Sequence, residues 1–299
     1  MSNSLPNPLS FCSKNDMNRA CLAQDWFFRL RDKAHADKRN LLSYFLATRM
    51  TQLNTVNRLS LLQVSQEGKP EEVARRLIEV IGLGLIGVGE QLPSESELAT
   101  RFGVATVTLR DALAILRQRG VVATRRGRNG GSFVCAPVEV SDDTLKLRLS
   151  AMSSLELRDL CDEQVAISAT AAGLAASRSS SVQHQRLEHF VSALQEATTR
   201  SELRRADARF HIEVAVAAQS VRLTHAEMRL QAEIGELLWI AMNETQKNTA
   251  VAEHRAILQA VTAGEANLAS ALTEAHIKEG IKRLMDLRFA LLESQESGL

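Results

Sequence analysis

The stretch LPSESELATRFGVATVTLRDALAILRQRGVVATRRGRNGGSFV, residues 92–134, places its own elements one after another. Ser94 followed by Glu97 is a capping box, in which hydroxyl and carboxylate each satisfy the other's backbone N–H. A helix therefore starts there and runs to about Phe102. Gly103 and Val104 make a short turn. The next helix buries Leu109, Leu113 and Leu116 on one face and leaves Thr106, Arg110 and Arg117 on the other. VVATRRGRNGGSFVC then reads as strand, Asn-Gly-Gly turn, strand. Upstream, EEVARRLIEVI sets Val73, Leu77, Ile78 and Ile81 at helical spacing, and glycines end it.

Helix, helix, turn, helix and hairpin in that order make a winged helix-turn-helix. Such a module lays its third helix in the DNA major groove while the hairpin approaches the backbone or minor groove. Local charge agrees. Between Arg101 and Arg128 there are seven arginines against one acid, Asp111. Arg125, Arg126 and Arg128 bracket the turn, where guanidinium groups can pair with phosphates. A solvated basic hairpin would explain the wing alone, but not the ordered series.

Across the whole chain the charge is only +1, so any attraction to DNA has to be local. Cys12, Cys21, Cys135 and Cys161 form no CxxC pair, which suits a reducing cytoplasm rather than a disulfide scaffold. No apolar run approaches the ~20 residues of a membrane span, and no signal-peptide pattern opens the chain. The expectation is a cytoplasmic protein without a membrane segment. Gly82, Gly84 and Gly87 match the spacing of a dinucleotide-binding loop, but they follow a helix and precede LPSE. That loop must follow a strand and open a helix, so the nucleotide reading is rejected.

Ten of the fifteen glycines lie between Gly68 and Gly131, and no proline follows Pro137. The turn-rich middle thus gives way to a tail of good helix formers. Helices are expected near 154–177, 182–198, 200–218, 221–242, 245–263 and 266–294. The expected fold is mainly α: a winged helix-turn-helix with a small β-hairpin wing, then an all-helical antiparallel bundle of about six or seven helices. Four regions follow: an extension of unknown role at 1–69, the DNA-binding module at 70–136, a linker at 137–144 and the bundle at 145–296. The extension holds half of the aromatic residues and no motif; it reads as a loose extension or as sequence upstream of a natural start at Met50.

Three histidines of the tail stand on apolar helix faces. His211 shares its face with Val214, Ala215 and Ala218; His254 continues into Ile257, Leu258 and Val261; His276 extends the row Leu268, Leu272. One such histidine is more often a hydrogen-bonded core residue than a ligand. Three on three helices, with Asp207 one turn before His211, suit a divalent metal: zinc first, with nickel or manganese as alternatives. His35, His184, His189 and His225 have polar neighbours and read as solvated.

The quoted stretch resembles the DNA-binding domain of GntR-family transcriptional regulators over residues ~70 to 136. The resemblance implies that Arg110 contacts the operator, that Thr108 bonds backbone phosphate and that Gly127 opens the wing. The DNA-facing set it implies is Ser94, Thr106, Thr108, Arg110, Arg125, Arg126, Gly127, Arg128 and Asn129. Many members carry arginines where this chain has Ser96 and Thr106, and those side chains suit bidentate guanine contacts. The family's most common half-site is therefore not assigned here.

DARFH, AEHRAILQAVTAGE and ALTEAHI resemble the FCD ligand-binding domain of the FadR-like branch, over residues ~145 to 295. That domain is an all-helical bundle holding a metal with one Asp and three His, and Asp207, His211, His254 and His276 fall on those positions. Where many such domains have an effector-pairing arginine, this chain has Gln164, and Ser220 replaces a usual Asn; both are candidate effector contacts. The resemblance implies a regulator, more a repressor than an activator, and not an enzyme. It would bind a palindromic double-stranded DNA operator as a homodimer, under control of a small carboxylate effector. Two alternatives stand beside it: a metal-dependent hydrolase fused to a DNA-binding module, with Glu163 or Glu253 as acid or base, and a regulator whose histidines are structural and metal-free.

Overall fold

The computed structural model describes residues 69–127, 130–135, 140–240 and 243–296. The extension at 1–68, the linker positions 136–139 and the wing residues Arg128 and Asn129 lie outside the described residues.

The DNA-binding module starts with α1 (Pro70–Gly82), whose proline sits where a helix needs no N–H donor. Next, α2 (Glu95–Phe102) begins at the predicted capping box: Ser94 Oγ accepts from the Glu97 N–H and the Glu97 carboxylate accepts from the Ser94 N–H. It ends at Gly103, which takes the left-handed conformation at φ 67° that glycine tolerates without strain. Then α3 (Thr106–Gln118) buries Leu109, Ala112, Leu113 and Leu116 against α1 and α2. The wing is an antiparallel hairpin, β1 (Val122–Arg125) with β2 (Gly131–Val134), in register Val122↔Val134 to Arg125↔Gly131. One feature was not foreseen. Residues 89–92 run along the outer edge of β2, with a bridge between Gln91 and Phe133 and a bond from the Leu92 N–H to the Ser132 carbonyl. This short segment pairs the wing's otherwise open edge.

The helical module comprises α4 (Asp142–Ala151), α5 (Ser154–Gln164), α6 (Thr170–Arg178), α7 (Ser181–Glu196), α8 (Arg200–Ala217), α9 (Val221–Ile234), α10 (Glu244–Ala263) and α11 (Ala266–Glu296). A helix thus begins three residues inside the expected linker. The Ser141 hydroxyl caps it by accepting from the Thr144 N–H, and Asp142 and Asp143 favour its positive end. The helix expected at 154–177 is interrupted: Val165–Ala169 form a π-helical turn between α5 and α6. The helix expected to reach 242 stops at Ile234 and gives way to a 3-10 turn, Leu237–Trp239.

Around α8 the bundle closes. Its residues from Ala206 to Ala215 are all buried, the pattern of a helix covered on every side. Phe210 and Val214 enter the bundle core with Leu187, Val191 and Ile257. On another face, Ala208 and Ile212 join the core of the DNA-binding module with Leu83 and Ile86. The glycine-rich turn after α1 lies against the same face. Gly84 has φ +66°, and a Cβ there would meet the Arg205 side chain at 3.3 Å. Arg204, in an ion pair with Glu236, stands over Gly82. Two of the glycines rejected as a nucleotide loop, Gly82 and Gly84, therefore let the chain approach α8 closely.

Candidate metal centre and nucleic-acid interface

The face of the winged module opposite its core carries the residues expected to meet DNA. Thr106 and Arg110 are exposed on α3, and Thr108 is half-buried. Arg110 Nε donates to Glu95 Oε2 at 2.7 Å, so the carboxylate of α2 holds the guanidinium before any DNA arrives. Ser94 is exposed, but its hydroxyl is engaged in capping α2. Arg125 lies over the Phe133 ring at 4.6 Å, a cation–π contact that folds it along the wing. Arg126 and Gly127 are exposed at the wing tip, with Gly127 at φ +111°. Arg117 reaches from α3 to the Thr124 hydroxyl at 3.4 Å, tying the third helix to β1. Valine 107 was not singled out in the sequence, yet it is 67% exposed at the first turn of α3.

The second constellation lies inside the helical module. Asp207 and His211 leave α8 one turn apart, His254 comes from α10 and His276 from α11. All four are buried, and one ligand atom from each lies within 4.8 Å of the others. His254 Nε2 is 3.3 Å from His276 Nε2 and 3.4 Å from Asp207 Oδ1, while His211 Nε2 is 3.9 Å from Asp207 Oδ1. Zinc bonds of about 2.0–2.1 Å place tetrahedral ligands about 3.3–3.4 Å apart. Two edges therefore already have the right length, and the edge to His211 is longer.

Burial keeps two of the rings in the neutral form that can coordinate a metal. Burial depresses the His211 imidazole to about 4, with the neighbouring His276 adding to the effect. Burial also pushes His254 well below the ordinary histidine value, reinforced by His276 and then His211. Both rings are thus neutral near pH 7 and have a lone pair to offer. Burial raises the Asp207 carboxyl above its ordinary value, partly offset by His276, the Trp239 N–H and Arg283. The Trp239 N–H stands near that carboxylate without a hydrogen bond of good geometry. His254 Nε2 lies 3.3 Å from His276 Nε2 and 3.4 Å from Asp207 Oδ1, so imidazole and carboxylate donor atoms converge on one point. The donor set fits a divalent metal.

Around the ligands the packing is aromatic and tight. Phe210 stacks on His254 with ring centroids 4.1 Å apart and planes 11° from parallel. His276 Nδ1 is 2.6 Å from Glu253 Oε2. A cavity of about 20 Å³ borders the cluster, lined among others by Gln164, Trp239, Gly280 and Arg283. That is room for about one water. Gln164 Oε1 and Trp239 Nε1 are both buried without hydrogen-bond partners. Gln164 therefore lies beside the cluster, lining the cavity. Ser220 is not among the cavity's lining; its hydroxyl accepts from the Leu223 N–H and caps α9. Of the two glutamates considered for hydrolysis, Glu163 pairs with Arg229 at the surface. Glu253 bonds the ring nitrogen of His276 that faces away from the other ligands.

Comparison with known proteins finds the same two modules. Residues 69–134 match the bacterial regulatory proteins, gntR family, and residues 159–279 match the FCD domain. The chain is similar to the HTH-type transcriptional regulator RmpR of Mycobacterium gastri, at 41% identity over 226 residues, covering 75% of this chain and 82% of that one. It is also similar to the L-lactate dehydrogenase operon regulatory protein of Escherichia coli (strain K12), at 26% identity, with 69% and 83% covered. Among solved structures, E. coli McbR/YncC aligns at 15% identity and a TM-score of 0.45, covering 75% of this chain and 99% of that one.

Proposed function

The chain belongs to the GntR family of bacterial regulatory proteins and carries an FCD domain; from this premise we propose a ligand-controlled repressor. It is a DNA-binding transcriptional regulator. In the proposal it binds a palindromic operator as a homodimer, because two-fold proteins read two-fold sites. Asp207, His211, His254 and His276 hold a divalent metal, with zinc the best match to the donor set. Such a metal supplies open coordination positions for a carboxylate.

One observation carries the control mechanism: α8 presents Asp207 and His211 to the cluster and Ala208 and Ile212 to the core of the DNA-binding module. The 20 Å³ cavity is too small for an organic acid, so an acid enters only if the walls move. Those walls include α8. Binding energy spent on widening the cavity is then delivered to the winged module through a packed contact, which has no slack to absorb it. The unpaired Gln164 carbonyl and Trp239 N–H offer an acceptor and a donor, respectively, to a polar ligand, and Arg283 offers charge. The name of the similar E. coli protein refers to an L-lactate dehydrogenase operon, which supports small carboxylic acids as the first effectors to try.

The hydrolase reading loses ground, since Glu253 lies behind the His276 ring and Glu163 at the surface. Neither is placed to activate a metal-bound water. The test is selection of bound DNA from a random pool with zinc-loaded protein, repeated with candidate acids. An enriched palindrome whose recovery changes with one acid is expected. Recovery indifferent to every acid and to zinc removal would overturn the control mechanism.

A further inference from the structure

Among the described residues, the Glu253–His276 contact is where the Asp–His cluster meets an open groove. Asp207, His211 and His254 side chains are 0–5% exposed, whereas His276 is 10% and Glu253 29%. Both line an open groove of about 910 Å³ between α10 and α11, together with Thr245, Asn248, Thr249 and Glu279. The contact joins the two helices that deliver His254 and His276, across 23 residues of chain.

Chemistry gives the contact a direction. An imidazole has two nitrogens, and the one bonded to a carboxylate carries the proton. Glu253 Oε2 at 2.6 Å from Nδ1 accepts that proton's hydrogen bond, so the lone pair is left on Nε2. Nε2 is the atom that lies 3.3 Å from His254 Nε2. A carboxylate behind a ligating imidazole also raises its basicity and fixes the plane of the ring. Without Glu253 the ring could turn toward the groove, because on that side open space rather than packed side chains limits it.

Resting on the metal reading above, we propose that Glu253 is a positioning residue: it fixes the tautomer and orientation of His276 and thereby retains the metal at the solvent-facing edge of the cluster. It touches neither the metal position nor the cavity side of the ligands.

The experiment uses the full chain. Zinc affinity is read by competition with a chromogenic chelator, for wild type, Glu253→Ala, Glu253→Gln and Asn248→Ala. Glu253→Ala should weaken zinc binding about 10–100-fold. Glu253→Gln keeps an acceptor without the charge and should recover part of that loss. Asn248→Ala, at the same groove, should bind as wild type. Nitrogen-15 NMR of the zinc-loaded protein should show His276 protonated on Nδ1 in wild type and in Glu253→Gln. Wild-type zinc affinity in Glu253→Ala, or a zinc-loaded His276 protonated on Nε2, would overturn the proposal. If wild type takes up no zinc, the metal reading falls and this proposal with it. If wild type binds and Glu253→Ala binds equally, the proposal alone falls.

Discussion

At the level of single residues, the proposed DNA reading rests on few side chains. Arg110 is exposed and pre-held by Glu95, which lowers the cost of ordering a long side chain on binding. Arg110→Ala should weaken operator binding by about 1–3 kcal/mol if the guanidinium makes a bidentate base contact, and the loss should be confined to particular operator positions. Titrations against a panel of single-base operator variants check this; an equal loss on every sequence means a phosphate contact. The buried Asp–His cluster proposed as the metal site could be picked out because its signal is local: Asp207 and His211 one turn apart, and each histidine on an apolar face. Glu253 was not, because the bond to His276 depends on how α10 and α11 cross. Ser220 shows the opposite case, a residue aligned to an effector position whose hydroxyl caps a helix.

Among the elements, α8 has the most to hold and is anchored accordingly. Its N-terminus is fixed by a capping box in which Glu202 accepts from the backbone N–H groups of Thr198 and Thr199. Those bonds lower the Glu202 carboxyl from 4.5 to about 2. The folded value is depressed, so the cap's contribution is complete above pH 4.5 and is lost as pH falls toward 2. Melting curves of wild type and Glu202→Gln should therefore differ at pH 7 and converge as pH falls through this window. A gap that stays constant would show that the carboxylate's charge contributes nothing. In the recognition module, Leu116 is fully buried beneath α3, and Leu116→Ala should cost about 2–5 kcal/mol in urea unfolding. The helix start at Ser94 was legible because its capping box lies within four neighbouring residues, and the structure shows a second such box at Ser153. The π turn at Val165–Ala169 left no such mark. The Ser168 hydroxyl there donates to the buried Glu227 carboxylate, a contact set by tertiary packing.

For the molecule as a whole, the two modules were legible and their junction was not. The outer face of α8 reads in sequence as Arg204, Ala208, Arg209 and Ile212, a mixture that does not announce a partner. GLGLIG reads only as the end of a helix. Packed together they form a shared core, and that core links a buried Asp–His cluster to a recognition helix. Coupling of this kind is reciprocal: an acid that weakens DNA binding by some factor must itself bind more weakly, by the same factor, to the DNA complex. Typical couplings are about 1–3 kcal/mol, a 5–150-fold change in affinity. The most direct measurement is titration of the selected operator into zinc-loaded protein at fixed salt, with and without a saturating carboxylic acid. A shift within that range is predicted, abolished in His211→Ala. Identical operator affinity with every acid, in protein shown to hold zinc, would contradict control of the DNA-binding module from the metal site.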